Sequence, residues 1–225
     1  MPNSSSTFFV KQVHHSFADF SRSLVNCLHH SSDQIHMQLT SLTPIVFYCP
    51  GMLIEHLLFS DAPLVVYSIP VYHLGVPANL KAFIDRLGQT VYGSSGDVPP
   101  KFMKVIGVIA QGTDLGSGSE LTTIQAITHA LVMGSIPIAG DGPVSYIDAY
   151  DWTKRSWFTD NFERLLKQKD FDAETTLRAA ESLGRRVAYP SLIVKNDAYL
   201  FKNLLKKDRK YNWCLSKIEN DMKKK

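Results

Sequence analysis

The chain has 225 residues, 44% of them hydrophobic and 20% charged, enough for one full α/β core plus an extension. Its net charge of +3, from 24 Lys and Arg against 21 Asp and Glu, is too mild to argue for nucleic acid. Cys27, Cys49 and Cys214 are far apart and odd in number, which argues against a disulfide framework and fits a reducing compartment. No apolar run reaches membrane-spanning length and the N-terminus lacks a signal-peptide layout, so cytoplasm is the expected location.

Met1–Ser6 is polar and Ser-rich. From Thr7, apolar residues at Val10, Val13, Phe17, Phe20, Leu24 and Leu28 recur every three or four positions and predict an amphipathic helix. One of Ser4, Ser5, Ser6 and Thr7 would cap it. Alternating Ile35, Met37 and Leu39 predict a strand over Ile35–Leu42. Pro44–Gly51 reads as a turn region and Met52–Phe59 as a short helix.

Ala62–Arg86 organises the chain. Leu64–Ser68 is an almost continuous apolar run behind a Ser-Asp-Ala-Pro breaker, as expected of a strand buried on both faces of a parallel sheet. Pro70–Pro77 is a stiff loop with proline at both ends. From Ala78 the period becomes helical, with Leu80, Phe83, Ile84 and Leu87 on one face and Lys81, Asp85 and Arg86 on the other. Strand, loop and helix make half of a βαβ unit, and ligands bind beyond the ends of such strands.

Gly88–Pro100 reads as a loop, Lys104–Ala110 as a second doubly buried strand, and Gln111–Glu120 as a Gly-rich loop opening a helix over Leu121–Met133. Ser135–Ala139 is a further strand, ending in a Gly-Asp-Gly-Pro turn. Beyond Val144 a helix is expected within Trp157–Lys167, and another over Asp172–Ala188, capped by Asp172 and stopped by Pro190. The tail, Ser191–Lys225, joins an apolar patch around Leu200, Phe201, Leu204 and Leu205 to many lysines. It reads first as a solvated helix packed on the body or a partner, and second as a segment drawn to an acidic or membrane surface.

Ser68-Ile69-Pro70-Val71-Tyr72, followed by Leu80-Lys81-Ala82-Phe83-Ile84-Asp85-Arg86, resembles the flavin-loop segment of the NAD(P)H-dependent FMN reductases and iron–sulfur flavoproteins. Ile69 stands where those families more often run Ser directly into Pro. The similarity covers roughly Thr7 to Ala188 and is strongest over Asp61–Gly142. It implies a flavodoxin-like α/β fold, a doubly wound parallel sheet in three α/β/α layers over residues 1–190, with 191–225 as a basic helical extension. In those families a central strand and a phosphate loop of the form G-S-x-R-x-x-S-x-T precede the first helix. Asn3–Thr7 resembles the end of that loop, and the first central strand has no counterpart in the chain. With strand order 2-1-3-4-5 its absence would leave unpaired backbone on both sides. A truncated sequence, a rearranged sheet and a relative that no longer binds flavin all remain open. Cys49 alone cannot supply the thiolates of an iron–sulfur cluster, so neither a cluster nor another metal is expected.

The resemblance implies FMN as cofactor and NAD(P)H as substrate, with hydride passing through flavin to a quinone, flavin or similar small-molecule acceptor. The alternative is a non-catalytic or degenerate flavodoxin-like module, an electron carrier or a scaffold. Ser4, Ser5, Ser6 and Thr7 would hold the phosphate at a helix N-terminus. Pro70, Val71, Tyr72, His73 and Leu74 would form one wall of the ring site, and Gln111, Gly112, Thr113, Gly116 and Gly118 the other, where glycines admit close backbone approach. No side chain is assigned as a catalytic acid or base, because the cofactor carries the chemistry. Lys81, Asp85 and Arg86 are expected in surface or subunit ion pairs. Relatives self-associate, so a homo-oligomer is expected, without nucleic acid and without a membrane span.

Overall fold

Two apolar runs, each buried on both faces, occupy the middle of a parallel sheet. The structure, a computed structural model, describes residues 45–47, 64–94, 96–112, 116–142, 145–147, 149–152 and 162–223. Strands β1 (Ile45–Phe47), β2 (Leu64–Pro70), β3 (Val105–Gly112) and β4 (Ile136–Pro137) lie side by side in that order, all parallel. β2 and β3 pair along seven positions, from Leu64 opposite Val105 to Pro70 opposite Gln111. β4 covers only the start of β3. The chain then leaves as an antiparallel pair, β5 (Ala139–Asp141) and β6 (Ser145–Ile147), and returns as β7 (Ala149–Trp152) beside the end of β3.

The described helices are α1 (Ala78–Ser94), α2 (Ser119–Val132), α3 (Phe162–Lys167), α4 (Phe171–Leu200), α5 (Lys202–Leu205) and α6 (Asn212–Lys223), with a 3-10 turn at Arg209–Tyr211. They cover both faces of the sheet. On one, Val65, Tyr67, Ile69, Ile106 and Val108 pack with Leu80, Phe83 and Leu87 of α1 and Ala126 and Ala130 of α2. On the other, Leu64, Val66, Val105 and Ile109 pack with Leu165 of α3 and Ala173, Ala179, Ala180, Leu183 and Val187 of α4. Each large buried side chain contributes about 2 kcal/mol by leaving water. The layering is the three-layer α/β/α arrangement around a parallel sheet expected from the sequence.

Several elements differ from the sequence expectation. Ile45–Phe47, expected in a turn, is a strand paired with Val65–Tyr67; its β-branched and aromatic residues suit a ladder. α1 does not give way to a loop at Gly88 but runs to Ser94, because Val91 still packs on the core and Tyr92 donates a 3.0 Å hydrogen bond to the Val132 carbonyl. Asp170, not Asp172, caps α4, accepting from the Ala173 N–H at 3.0 Å. Pro190 does not stop that helix. Val187, Ser191, Lys195 and Ala198 remain buried on both sides of it, and this packing outweighs the lost backbone bond. The strand and helices expected at Ile35–Leu42, Met52–Phe59 and Thr7–Leu28 lie outside the described residues.

Candidate functional site

Parallel strands bring their C-terminal ends to one edge of the sheet, so the loops after β2 and β3 are neighbours by construction. The β2–β3 pairing runs one residue past the end of β2. The Val71 N–H donates to the Gln111 carbonyl at 2.9 Å, which ties the two loops together at their roots.

The first loop then folds on itself. Tyr72 and Gly75 exchange backbone hydrogen bonds of 3.2 and 3.1 Å, closing a two-residue turn. His73 and Leu74, its central residues, have φ of 47° and 65°. Positive φ at both positions is the type I′ pattern, which side chains other than Gly, Asn and Asp adopt at a cost of about 1 kcal/mol each. Tyr72, His73 and Leu74 are exposed, Leu74 at 60%. Gln125, on α2, holds this loop from outside by accepting the Val76 N–H at 3.3 Å.

The second loop is built on three glycines. Gly112 is buried at the end of β3, and a Cβ there would fall 1.7 Å from the Ser117 hydroxyl and 2.9 Å from that of Ser119. A bare Cα is therefore what lets both serines fold over the strand end. Gly116 and Gly118 have φ of 74° and 95°. Gly118 stands at the start of α2 with no side chain to cap it, so the first N–H groups of that helix lack a capping side chain. It also touches the first loop: a Cβ on Gly118 would lie 2.5 to 2.6 Å from the backbone of Leu74.

Polar atoms without partners gather at this end of α2. The Ser117, Thr122 and Thr123 hydroxyls are buried and have no hydrogen-bond partner. Buried hydroxyls are satisfied in most folded proteins, so orphans beside an uncapped helix start suit a polar ligand. Deeper in, the Tyr67 hydroxyl and His129 Nδ1 are 3.4 Å apart, and His129 Nε2 has no partner. Burial pushes the Tyr67 hydroxyl pKa upward. It also pushes His129 down to about 4, with Asp85 opposing that shift and Lys81 adding to it.

Of the residues named from the sequence, Val71, Tyr72, His73, Leu74, Gly116 and Gly118 lie on these two adjoining loops, and Pro70, Gln111 and Gly112 on the strand ends that lead into them. Thr113 and Ser4, Ser5, Ser6 and Thr7 lie outside the described residues. Lys81 and Asp85 form a surface ion pair along α1, as their spacing predicts. Sequence reasoning passed over Gln125 and Ser117. Gln125 carries no local signal, since it matters only through a loop distant in the chain, and the orphan hydroxyl of Ser117 shows only once its own Gly-rich loop is folded over Gly112.

Residues 56–142 match the family model described as NADPH-dependent FMN reductase. An FMN-dependent NADH:quinone oxidoreductase from Gluconobacter oxydans is 38% identical over 73 residues, which cover 30% of this chain and 36% of that protein. An iron–sulfur flavoprotein from Archaeoglobus fulgidus is 34% identical over 97 residues, 43% of this chain and 48% of that one. The chain thus spans between a third and a half of these curated relatives. A WrbA-like flavodoxin from Agrobacterium tumefaciens superposes with a TM-score of 0.38 at 19% identity, covering 59% of this chain and 68% of that one. Both loops described above fall inside the matched segment, and between residues 56 and 142 the chain carries the sequence pattern of the NADPH-dependent FMN reductases.

Proposed function

We propose that this chain is an FMN-dependent NAD(P)H oxidoreductase that passes electrons to a quinone, a flavin or a similar small acceptor. The observation carrying this reading is the direct packing of Gly118 on the Leu74 backbone, which joins two loops of the matched segment into one surface. Flavin fits what this surface offers. Its flat, amphipathic ring needs apolar cover and polar edge donors, and the exposed Tyr72 and Leu74 stand beside the orphan Ser117 hydroxyl and the uncapped start of α2.

Bound FMN would supply the redox chemistry, taking a hydride from NAD(P)H and returning electrons to the acceptor. The protein's share is binding and orientation. Tyr72 and Leu74 cover a ring face and keep water from it. Ser117 and the backbone of Gly116–Gly118 donate to polar ring atoms, and Gln125 holds the first loop in place. Ser4, Ser5, Ser6 and Thr7 are the candidates for the phosphate. No side chain is assigned a proton, and His73 belongs to the wall of the ring site through its backbone. Residues 1–190 form the flavin domain in this reading and 191–225 an appended basic segment. In this reading the protein works in the cytoplasm as a homo-oligomer, and its dispersed cysteines, which fit a reducing compartment, support the location.

The test is anaerobic spectroscopy of the FMN-loaded protein. Bleaching of the flavin band by NADH or NADPH, and its return on adding benzoquinone, is the expected result. Flavin that binds but is not reduced by either nucleotide would replace the enzyme with an electron carrier or scaffold.

A further inference from the structure

The basic tail plays no part in the proposed reaction, and it sits at the other end of the sheet. The Lys101 N–H, just before β3, donates to the Lys210 carbonyl at 2.8 Å. The Phe102 and Trp213 rings meet edge to face with centroids 4.6 Å apart, and the Lys104 ammonium lies 5.5 Å from the Trp213 ring. The tail is therefore anchored where β3 begins, about 25 Å of strand from the loops at Gly112.

Two properties coincide there. Leu200, Phe201 and Leu204 are exposed at 71%, 56% and 61%. They fall within one helical turn, because Phe201 closes α4 and its carbonyl accepts the Leu204 and Leu205 N–H groups of α5. On the next turns Lys206, Lys207, Arg209 and Lys210 are all exposed. Lys206 pairs with Glu219 at 2.7 Å, and Lys202 lies over the Tyr199 ring at 4.2 Å. Asp208 is turned to local use, its carboxylate accepting the Lys210 N–H at 3.0 Å. From Ser191 to Lys225 there are ten Lys and Arg against four Asp and Glu, a net +6. The whole chain carries +3, so residues 1–190 carry −3, from 14 basic and 17 acidic side chains. Charge is thus divided along the sequence, and the cationic segment is also the one that carries the exposed Leu200, Phe201 and Leu204.

We propose that this tip, from Leu200 to Lys210, docks on an anionic lipid surface. A bilayer accepts both halves of the pattern: Leu200, Phe201 and Leu204 enter the acyl boundary while the cations meet acidic headgroups. Two other occupants each meet the pattern less well. A second copy joined by a two-fold axis at this tip would crowd two sets of the same cations, Lys207, Arg209 and Lys210, into one interface. A nucleic-acid backbone would take the cations and leave the leucines in water. Docking is peripheral, since among the described residues no helix is long and apolar enough to cross a membrane. It turns the loops at Leu74 and Gly118 away from the bilayer, so the proposed reaction continues in the bound state. The inference stands whether or not that reaction is confirmed.

The experiment is co-sedimentation of the full chain with phosphatidylcholine vesicles, with and without phosphatidylserine, at low and high salt. The expected result is binding that requires phosphatidylserine and weakens with salt. It should fall about tenfold or more in the triple variant Lys207→Glu, Arg209→Glu and Lys210→Glu. It should fall as well in Phe201→Ser with Leu204→Ser, which keeps every charge. Both variants change exposed side chains, and unchanged circular dichroism melting verifies their fold. Equal sedimentation with and without phosphatidylserine overturns the proposal. So does a dimer in solution that the Phe201→Ser, Leu204→Ser pair dissociates, which would make a second copy the occupant.

Discussion

Gly118 lies against the backbone of Leu74, so close that a single methyl group on Gly118 would come within 2.5 Å of the Leu74 Cα. The two residues are 44 positions apart and belong to loops after different strands. Their contact turns two separate loops into one surface at the C-terminal edge of β2 and β3.

Gly118→Ala should break that surface. The new Cβ meets backbone rather than a movable side chain, and φ of 95° strains any L-residue. Strain and overpacking together amount to about 2–4 kcal/mol. The expected outcome is a fall in urea midpoint and loss of FMN affinity by about tenfold or more. A Gly118→Ala variant with native stability and native FMN affinity would show that the loops part without consequence.

The type I′ turn at His73 and Leu74 should be improvable. Replacing the pair by Asn-Gly removes two unfavourable left-handed residues and loses little buried surface. After the larger unfolded-state entropy of glycine is set against this, a gain of about 1 kcal/mol in urea unfolding is expected. A lower midpoint would show that the native side chains stabilise the turn by packing.

Gly107 of β3 lies directly under Val187 and Leu183 of α4. A Cβ there would lie 2.6 Å from Val187 Cγ2 and 3.3 Å from Leu183 Cδ1, both in a filled core. Gly107→Ala should therefore destabilise by about 1–3 kcal/mol. Adding Val187→Ala should recover part of that loss, because it removes the methyl that clashes. Thermal or urea unfolding of the single and double variants checks both statements.

Stability should fall with acid through His129. Its pKa is lowered from 6.5 to about 4, chiefly by burial, so the folded state holds the neutral imidazole and the unfolded state takes up protons first. The stabilisation is complete above pH 6.5, declines as pH drops, and is spent below about pH 4. Its ceiling is about 3 kcal/mol, from 1.36 kcal/mol per pKa unit. In His129→Gln the part of the acid slope lying between those pH values should flatten, as read from urea midpoints against pH. A slope identical to that of the parent would assign acid sensitivity to other groups.

Much of the fold was legible because burial on both faces leaves a plain trace. Leu64–Ser68 and Lys104–Ala110 are continuous apolar runs, and both became central strands. The helix from Ala78 was equally plain, since Leu80, Phe83 and Leu87 repeat at helical spacing and all three are buried. Local punctuation misled where tertiary contacts outvoted it. Gly88 and Gly93 look like breakers, yet Val91 and Tyr92 hold α1 together beyond Gly88. Pro190 looks like a stop, yet α4 stays packed to either side. The candidate site followed the same rule. Its glycines and its Pro-Val-Tyr segment were visible as words in the sequence. The Leu74–Gly118 contact, the grip of Gln125 on Val76 and the orphan Ser117 hydroxyl exist only in three dimensions.

The most direct test of the central claim is an equilibrium FMN titration of the purified chain, followed by quenching of flavin fluorescence and by the shift of its visible band. One FMN per chain, with affinity lost in Gly118→Ala, is the predicted result. A folded chain that leaves FMN fluorescence unchanged, or a Gly118→Ala variant that binds FMN as tightly as the parent, would contradict a flavin site built on these two loops.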